Sequence, residues 1–283
     1  MLVSDQAWTA AASFTIVSNE SRLTLSDTIV YGVLSAPVSS QSSGSLTTAY
    51  IGSVNTDIDG SNIVFTGEST IDALINGTWQ PAPAGAVGTS APADYGGKAT
   101  VPFIVTAYGA LRSVGMDVTS PTLTMTNNSF GVRSLVFSFL PAFLGTLDFA
   151  ATTGQMGSAA LLGSATNTSP SNASLTSTGS LQRLVVPVDA TYPIGSGDLA
   201  GTTLRFTGQI VGTRPLPPLI TSIVLTNQTA LVTVAFASLQ SQLQSSTNLV
   251  DWVSAGATAT NANGSIVFTA PATAPTQFFR VQN

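Results

Sequence analysis

The sequence predicts an all-β protein: a large antiparallel β-sandwich or barrel-like domain over residues 1–214, a Pro-rich linker at 215–218 and a small β-sandwich over 219–283. Three observations predict it. Apolar and polar residues alternate along most of the chain, the period of strands with one face in water. The 283 residues exceed one ordinary domain and leave room for two cores. Three prolines in Arg214-Pro215-Leu216-Pro217-Pro218 interrupt the pattern where no central strand could continue.

The N-terminal segment, residues 7–17, sets Trp8, Ala10, Ala12, Phe14 and Ile16 on one face. A strand at a chain end either joins its own sheet or completes a neighbour's, and both outcomes are expected of this one. Leu23, Leu25, Ile29, Tyr31 and Val33 alternate next. Leu46, Tyr50, Val54 and Ile58 then define a long strand with Thr47, Ser53, Asn55 and Asp57 on its other face. Asp59-Gly60 reads as the pair of positive-φ residues in a tight hairpin, with Ile63 and Phe65 resuming the alternation on the return strand.

Pro81 to Gly97 reads as a Pro/Gly/Ala loop, and Thr166 to Ser174 as a Ser/Thr/Asn loop at an exposed tip. Val101 to Val118 has residues fitting a helix face, but its β-branched residues and glycines favour strand. Ser134 to Leu140 is apolar on both faces and reads as a strand covered on two sides. Leu204, Phe206 and Ile210 form another half-buried wall, and Gly195 to Gly201 a loop.

Beyond the prolines, five or six short strands are expected, including 223–226, 231–236, 242–245, 266–269 and 277–281. Leu243-Gln244-Ser245-Ser246-Thr247-Asn248-Leu249-Val250-Asp251-Trp252, followed by Phe278-Phe279-Arg280-Val281, resembles a C-terminal fibronectin-III-like module, a small fibronectin-III/Ig-like sandwich. That resemblance implies that Trp252 plugs the core and that the final strand closes the sheet. Gly44-Ser45-Leu46-Thr47-Thr48-Ala49-Tyr50, Asn76-Gly77-Thr78-Trp79-Gln80-Pro81 and Ala93-Asp94-Tyr95-Gly96-Gly97 resemble exported bacterial surface proteins of the PEP-CTERM type. It implies an extracellular or cell-surface location. The sorting tail of that group is not found here.

Only 7% of residues are charged, so hydroxyl and amide groups must hydrate the surface. A net charge of −5 gives little electrostatic barrier between copies, and a homo-oligomer or homopolymer is expected. One lysine and seven scattered arginines argue against nucleic acid. No run of about 18 apolar residues exists, so no membrane-spanning helix is expected. An outer-membrane barrel fits the aromatic content poorly. Met1-Leu2-Val3-Ser4-Asp5 lacks the basic and apolar regions of a signal peptide, and the chain reads as mature and exported. Seven Asn-x-Ser/Thr triplets, at Asn19, Asn76, Asn127, Asn167, Asn172, Asn227 and Asn263, mark candidate surface loops.

With zero histidines and zero cysteines, the Ser-His-Asp triad, the Cys-His dyad and ordinary zinc sites are excluded. No catalytic residue and no cofactor is expected. A glycosidase or lyase would need only two carboxylates, and Asp57 and Glu68 flank the hairpin. Asn55-x-Asp57-x-Asp59-Gly60 imitates the start of a calcium loop, but Thr66 stands where the closing Glu belongs. Trp8, Trp79 and Trp252 are candidate sugar platforms. The expected function is therefore a non-enzymatic extracellular structural subunit that self-assembles into a filament, sheath or surface layer through strand donation from the N-terminal segment. An adhesin or carbohydrate-binding protein is the alternative, and a carboxylate-pair glycosidase or lyase the third reading.

Overall fold

A computed structural model describes residues 10–26, 28–31, 34–194, 199–274 and 276–282. Trp8 and residues 195–198 of the expected glycine loop lie outside that set. The protein is all-β: the described residues contain no α-helix, and their sheets are antiparallel throughout. None of its elements is a helix long and apolar enough to cross a membrane. The chain divides into two compact units, one of residues up to Leu175 with Arg183–Thr213, the other of Thr176–Gln182 with the chain from Arg214 onward.

The first unit is organised around one long strand, β6 (Thr47–Asp59), whose Tyr50 and Val54 are buried while Ser53, Asn55 and Asp57 stay partly exposed. On one side of β6, β1 (Ala10–Ile16) and β2 (Arg22–Ser26) lie end to end and pair onward to β22 (Thr203–Pro215). On the other side, β7 (Asn62–Phe65) and β8 (Thr70–Ala73) lie end to end. They lead to β14 (Leu123–Thr124) and β13 (Gly115–Thr119), then to β16 (Val136–Phe139) and β19 (Ser164–Thr166). Beyond β22 follow β21 (Leu181–Pro193), β20 (Ala173–Thr178) and β15 (Ser129–Phe130).

The two flanks of this sheet meet at Asn167. Its Nδ2 donates to the Pro187 carbonyl (2.8 Å), its Oδ1 accepts from the Asp189 N–H (2.8 Å), and the Thr168 N–H donates to the Asp189 carbonyl (2.7 Å). A side-chain amide thus stands in for one peptide unit and ties the continuation of β19 to β21. The stretch after Thr166 is accordingly a seam with Asn167 and Ser169 buried, where an exposed tip was expected.

A second sheet, in the order β18 (Met156–Ala160), β17 (Thr146–Ala151), β12 (Val105–Arg112), β11 (Tyr95–Val101), β5 (Ser39–Ser40), shares the core with the first. Tyr95, Phe139, Tyr192 and Phe206 meet there, with Phe139 and Tyr192 ring centres 4.2 Å apart. Two small hairpins complete the unit: β3 (Thr28–Tyr31) with β4 (Leu34–Pro37), and β9 (Gly77–Trp79) with β10 (Ala91–Ala93).

Several expectations need correction. Asp59 pairs with Asn62, so the hairpin turn is Gly60-Ser61, one residue later than expected; of the two residues named for it, only Gly60 has positive φ. Part of the expected loop 81–97 is strand, in β10 and β11. Val101 to Val118 is mostly strand, as expected, broken by turns at 102–104 and 113–114. β16 is interior to its sheet, but Val136 and Ser138 remain partly exposed, so only one face is covered.

The second unit is a two-sheet sandwich. Four strands, β23 (Leu219–Thr226), β24 (Thr229–Ala235), β28 (Ser265–Pro271) and β27 (Thr258–Ala262), form one sheet. Three, β26 (Val253–Ser254), β25 (Gln242–Ser246) and β29 (Phe278–Gln282), form the other. Ala230, Val232, Val234, Leu243, Ile266, Phe268 and Ala270 make the buried core, with Phe279 and Val281 packed against it.

Candidate functional site

Residues expected to act in assembly are occupied within their own sheet. β1 pairs with β6 from Ala10↔Ile58 to Thr15↔Ser53, and Ala12, Phe14 and Ile16 are buried. Within this single chain residues 10–16 belong to their own sheet: Phe14 is fully buried in the common core, and withdrawing the strand would expose that core. Trp8 lies outside the described residues.

The candidate calcium ligands do not converge. Asn55, Asp57 and Asp59 sit at alternate positions of the extended β6, which spreads them along one face instead of curling them about a centre. Asn55 Nδ2 donates to the Glu68 carbonyl (2.8 Å), and Asp59 Oδ1 accepts from the Asn62 backbone and side chain. Among the described residues no group of three or more Asp or Glu side chains could hold a metal ion.

Most acidic groups that can be placed are tied to the architecture. Asp117 accepts the backbone N–H groups of Glu68, Ser69 and Val118, which fixes the turn between β7 and β8. Glu68 itself is exposed there in a left-handed conformation (φ 57°), and Asp57 lies on β6 opposite Val64. Glu20 and Asp189 are each gripped by two guanidinium nitrogens, of Arg183 and Arg205, and these bonds hold both carboxyls below their ordinary pKa. Arg112 bonds the buried Asp148 and the carbonyls of Pro81 and Pro92. Asp94 is buried and accepts the Val114 N–H (2.8 Å); burial pushes its pKa up to about 6 against that bond. Burial likewise raises the pKa of Asp72, whose Oδ1 has no partner.

Neither described tryptophan is a free platform. The Trp79 ring lies against Gly77 and Gly96, where an added Cβ would come within 2.5 and 2.4 Å of it. Trp252 was expected to plug the small core, but it is only partly buried and Phe268 occupies that core. Its ring carries the Arg280 guanidinium 4.5 Å from its centre, and its Nε1 donates to the Leu249 carbonyl (3.2 Å). Arg280 is held from the side by Gln244, its cross-strand partner (2.7 Å).

Exposed apolar residues gather at two strand edges and tips. In the first unit the tip between β11 and β12 carries Phe103, fully exposed with φ 62°, beside Ile104 at 59% exposure. In the second unit the edge strand β23 reads Leu-Ile-Thr-Ser-Ile-Val-Leu-Thr without a charge, and Leu219, Ile223, Val224 and Leu225 are all exposed. A groove of about 500 Å³ opens beside it, lined by Ile223, Leu225, Gln228, Ala272, Gln277 and Phe279 among others. Sequence reasoning missed both patches; the uncharged run on β23 was the available signal, because natural edge strands are usually blunted by charge. No protein-family model, curated protein or solved structure matches the chain.

Proposed function

We propose that this chain is a non-enzymatic structural subunit of an extracellular assembly, a filament, sheath or surface layer, in which copies associate through exposed apolar edges. The carrying observation is that each unit bears its own uncovered apolar patch, Phe103-Ile104 in the first and β23 in the second. Two distinct contacts per copy are the minimum from which an open polymer can grow. The low charge of the chain leaves little repulsion to oppose such contacts. The engagement of Glu20, Asp59, Asp94, Asp117, Asp148 and Asp189 in structural bonds supports a building role over carboxylate chemistry.

Negative-stain microscopy of the purified chain, across a concentration series, tests the reading. Ordered polymers or sheets are expected. Monodisperse particles of one or two chains at the highest concentration would overturn it.

A further inference from the structure

The second unit carries a step that is complementary to itself. It packs a four-stranded sheet on a three-stranded one, and a groove opens between their edge strands β23 and β29. Ile223 and Leu225 stand opposite Val232 and Ala230 and share their core-facing side, yet they are 48% and 68% exposed while both partners are fully buried. Among the described residues nothing pairs with the outer edge of β29, and β29, although it approaches β23, leaves Ile223 and Leu225 uncovered. Two unpaired edges, β23 in one sheet and β29 in the other, therefore flank the same groove.

We propose that a second copy of this chain fills the step, about a twofold axis running along the strands, so that β23 of each copy pairs with β29 of the other. Deepening the assembly reading and resting on it, the inference names one of its contacts. Under that rotation the wide sheet of one copy continues into the narrow sheet of its partner, and each composite sheet has 4 + 3 = 7 strands. Strand direction is compatible. β23 runs antiparallel to β24, β25 runs antiparallel to β29, and the short connection from β24 to β25 reverses the chain between the sheets. β23 and β29 thus oppose one another within one copy, and a rotation about the strand direction preserves that relation across the interface.

Chemistry favours a copy over another occupant. Groove and β23 carry no charged residue, and the one charged residue of β29, Arg280, is engaged by Trp252 and Gln244, so identical surfaces meet with little repulsion. The feature required of the guest is a strand with a free edge and an uncovered apolar inner face, which β23 itself supplies. Two pairings of about five residues each, through a sandwich about 20 Å deep, bury on the order of 1,000 Å² in total, the threshold of a specific interface. The bulge between Ile220 and Ser222 confines regular pairing to the later half of β23, where Ile223 and Leu225 lie. A closed twofold contact does not propagate alone, which leaves the first unit to supply the second contact of a polymer.

Sedimentation of the full chain tests the proposal, with Leu225→Lys and Ile223→Lys as variants; both positions are exposed, and circular dichroism checks the fold. The expected result is a dimerisation that either lysine weakens at least about tenfold. Disulfide trapping defines the geometry, because the natural chain contains no cysteine. Pairing of residues 222–226 with 278–282 sets Val224 opposite Arg280, so Val224→Cys mixed with Arg280→Cys should give a mixed covalent dimer, and Val224→Cys alone should not. A wild-type monomer throughout, or self-association unaffected by both lysines, overturns the proposal. Ready trapping of Val224→Cys with itself also overturns it, in favour of β23 meeting β23. Polymers that persist in both lysine variants would sink this contact and leave the assembly reading standing; a lysine-sensitive dimer that never polymerises would do the reverse.

Discussion

The Tyr50 hydroxyl lies 2.8 Å from that of Tyr95, and both side chains are fully buried. Because Tyr95 spends its single proton on the Leu23 carbonyl at 3.2 Å, Tyr50 is the donor in the pair. Burial raises the pKa of both phenols, so the relay stays protonated across the working pH range.

Direction predicts an asymmetry. Tyr95→Phe strands a buried donor on Tyr50 and removes its own bond to the Leu23 carbonyl, at about 2–3 kcal/mol. Tyr50→Phe leaves only a spare lone pair on Tyr95, at about 1 kcal/mol. Denaturant unfolding of the first unit should show Tyr95→Phe clearly the more damaging; equal costs would refute the donor assignment.

Asp94 gives a pH dependence. Burial raises its folded pKa from 3.8 to about 6, so its contribution to stability is complete below about pH 4 and is lost as pH rises through 6. Asp94→Asn stays neutral and keeps an acceptor for the Val114 N–H. The variant should match the wild type near pH 4 and exceed it by roughly 3 kcal/mol near pH 8, the equivalent of about two pKa units. Melting curves across that range measure the difference, and a variant that never gains would contradict it.

The seam at Asn167 should fail selectively. In Asn167→Asp an oxygen replaces the amide that donates to Pro187, and a charge enters a site only 1% exposed. A loss of about 2–4 kcal/mol is expected. Hydrogen exchange should report it first at Asp189, whose N–H is bonded to Asn167. The same burial removes Asn167 from the candidate glycosylation positions in the folded chain.

Gly208 is irreplaceable by physical contact. Its φ is +151°, and an added Cβ would lie 2.1 Å from the Arg22 carbonyl oxygen, where β2 meets β22. Gly208→Ala should cost more than about 3 kcal/mol. At Gly179, φ is +57° with nothing within 4 Å, and Gly179→Ala should cost only about 1–2 kcal/mol. Parallel thermal melts distinguish them.

Legibility in the sequence followed the reach of each interaction. Period-two alternation through Tyr50 and Val54 is local, and it revealed the strand and its buried face. The turn after β6 was misplaced by one residue, because cross-strand pairing of Asp59 with Asn62 outweighs the usual preference for Asp-Gly at the turn centre. The Asn167 seam was invisible, since its partners Pro187 and Asp189 lie twenty or more positions away and a side chain plays the role of backbone there. Trp252 was assigned inward on the resemblance of its segment to a fibronectin-III-like module; cross-strand geometry instead places it beside Arg280. The uncovered inner face of β23 depends on how far β29 of the other sheet reaches over it, and no single strand's composition encodes that.

Thr15 is paired with Thr213, so the opening strand of the first unit waits for the segment that ends it. Phe14 can pair with Val54 of β6 early, but the other edge of β1, at Thr15 and Ile16, lacks its partner until about two hundred further residues have appeared. Maturation must then follow synthesis, at the slow pace of long-range strand closure. Until that late segment is made, the first core cannot close on both sides of its opening strand.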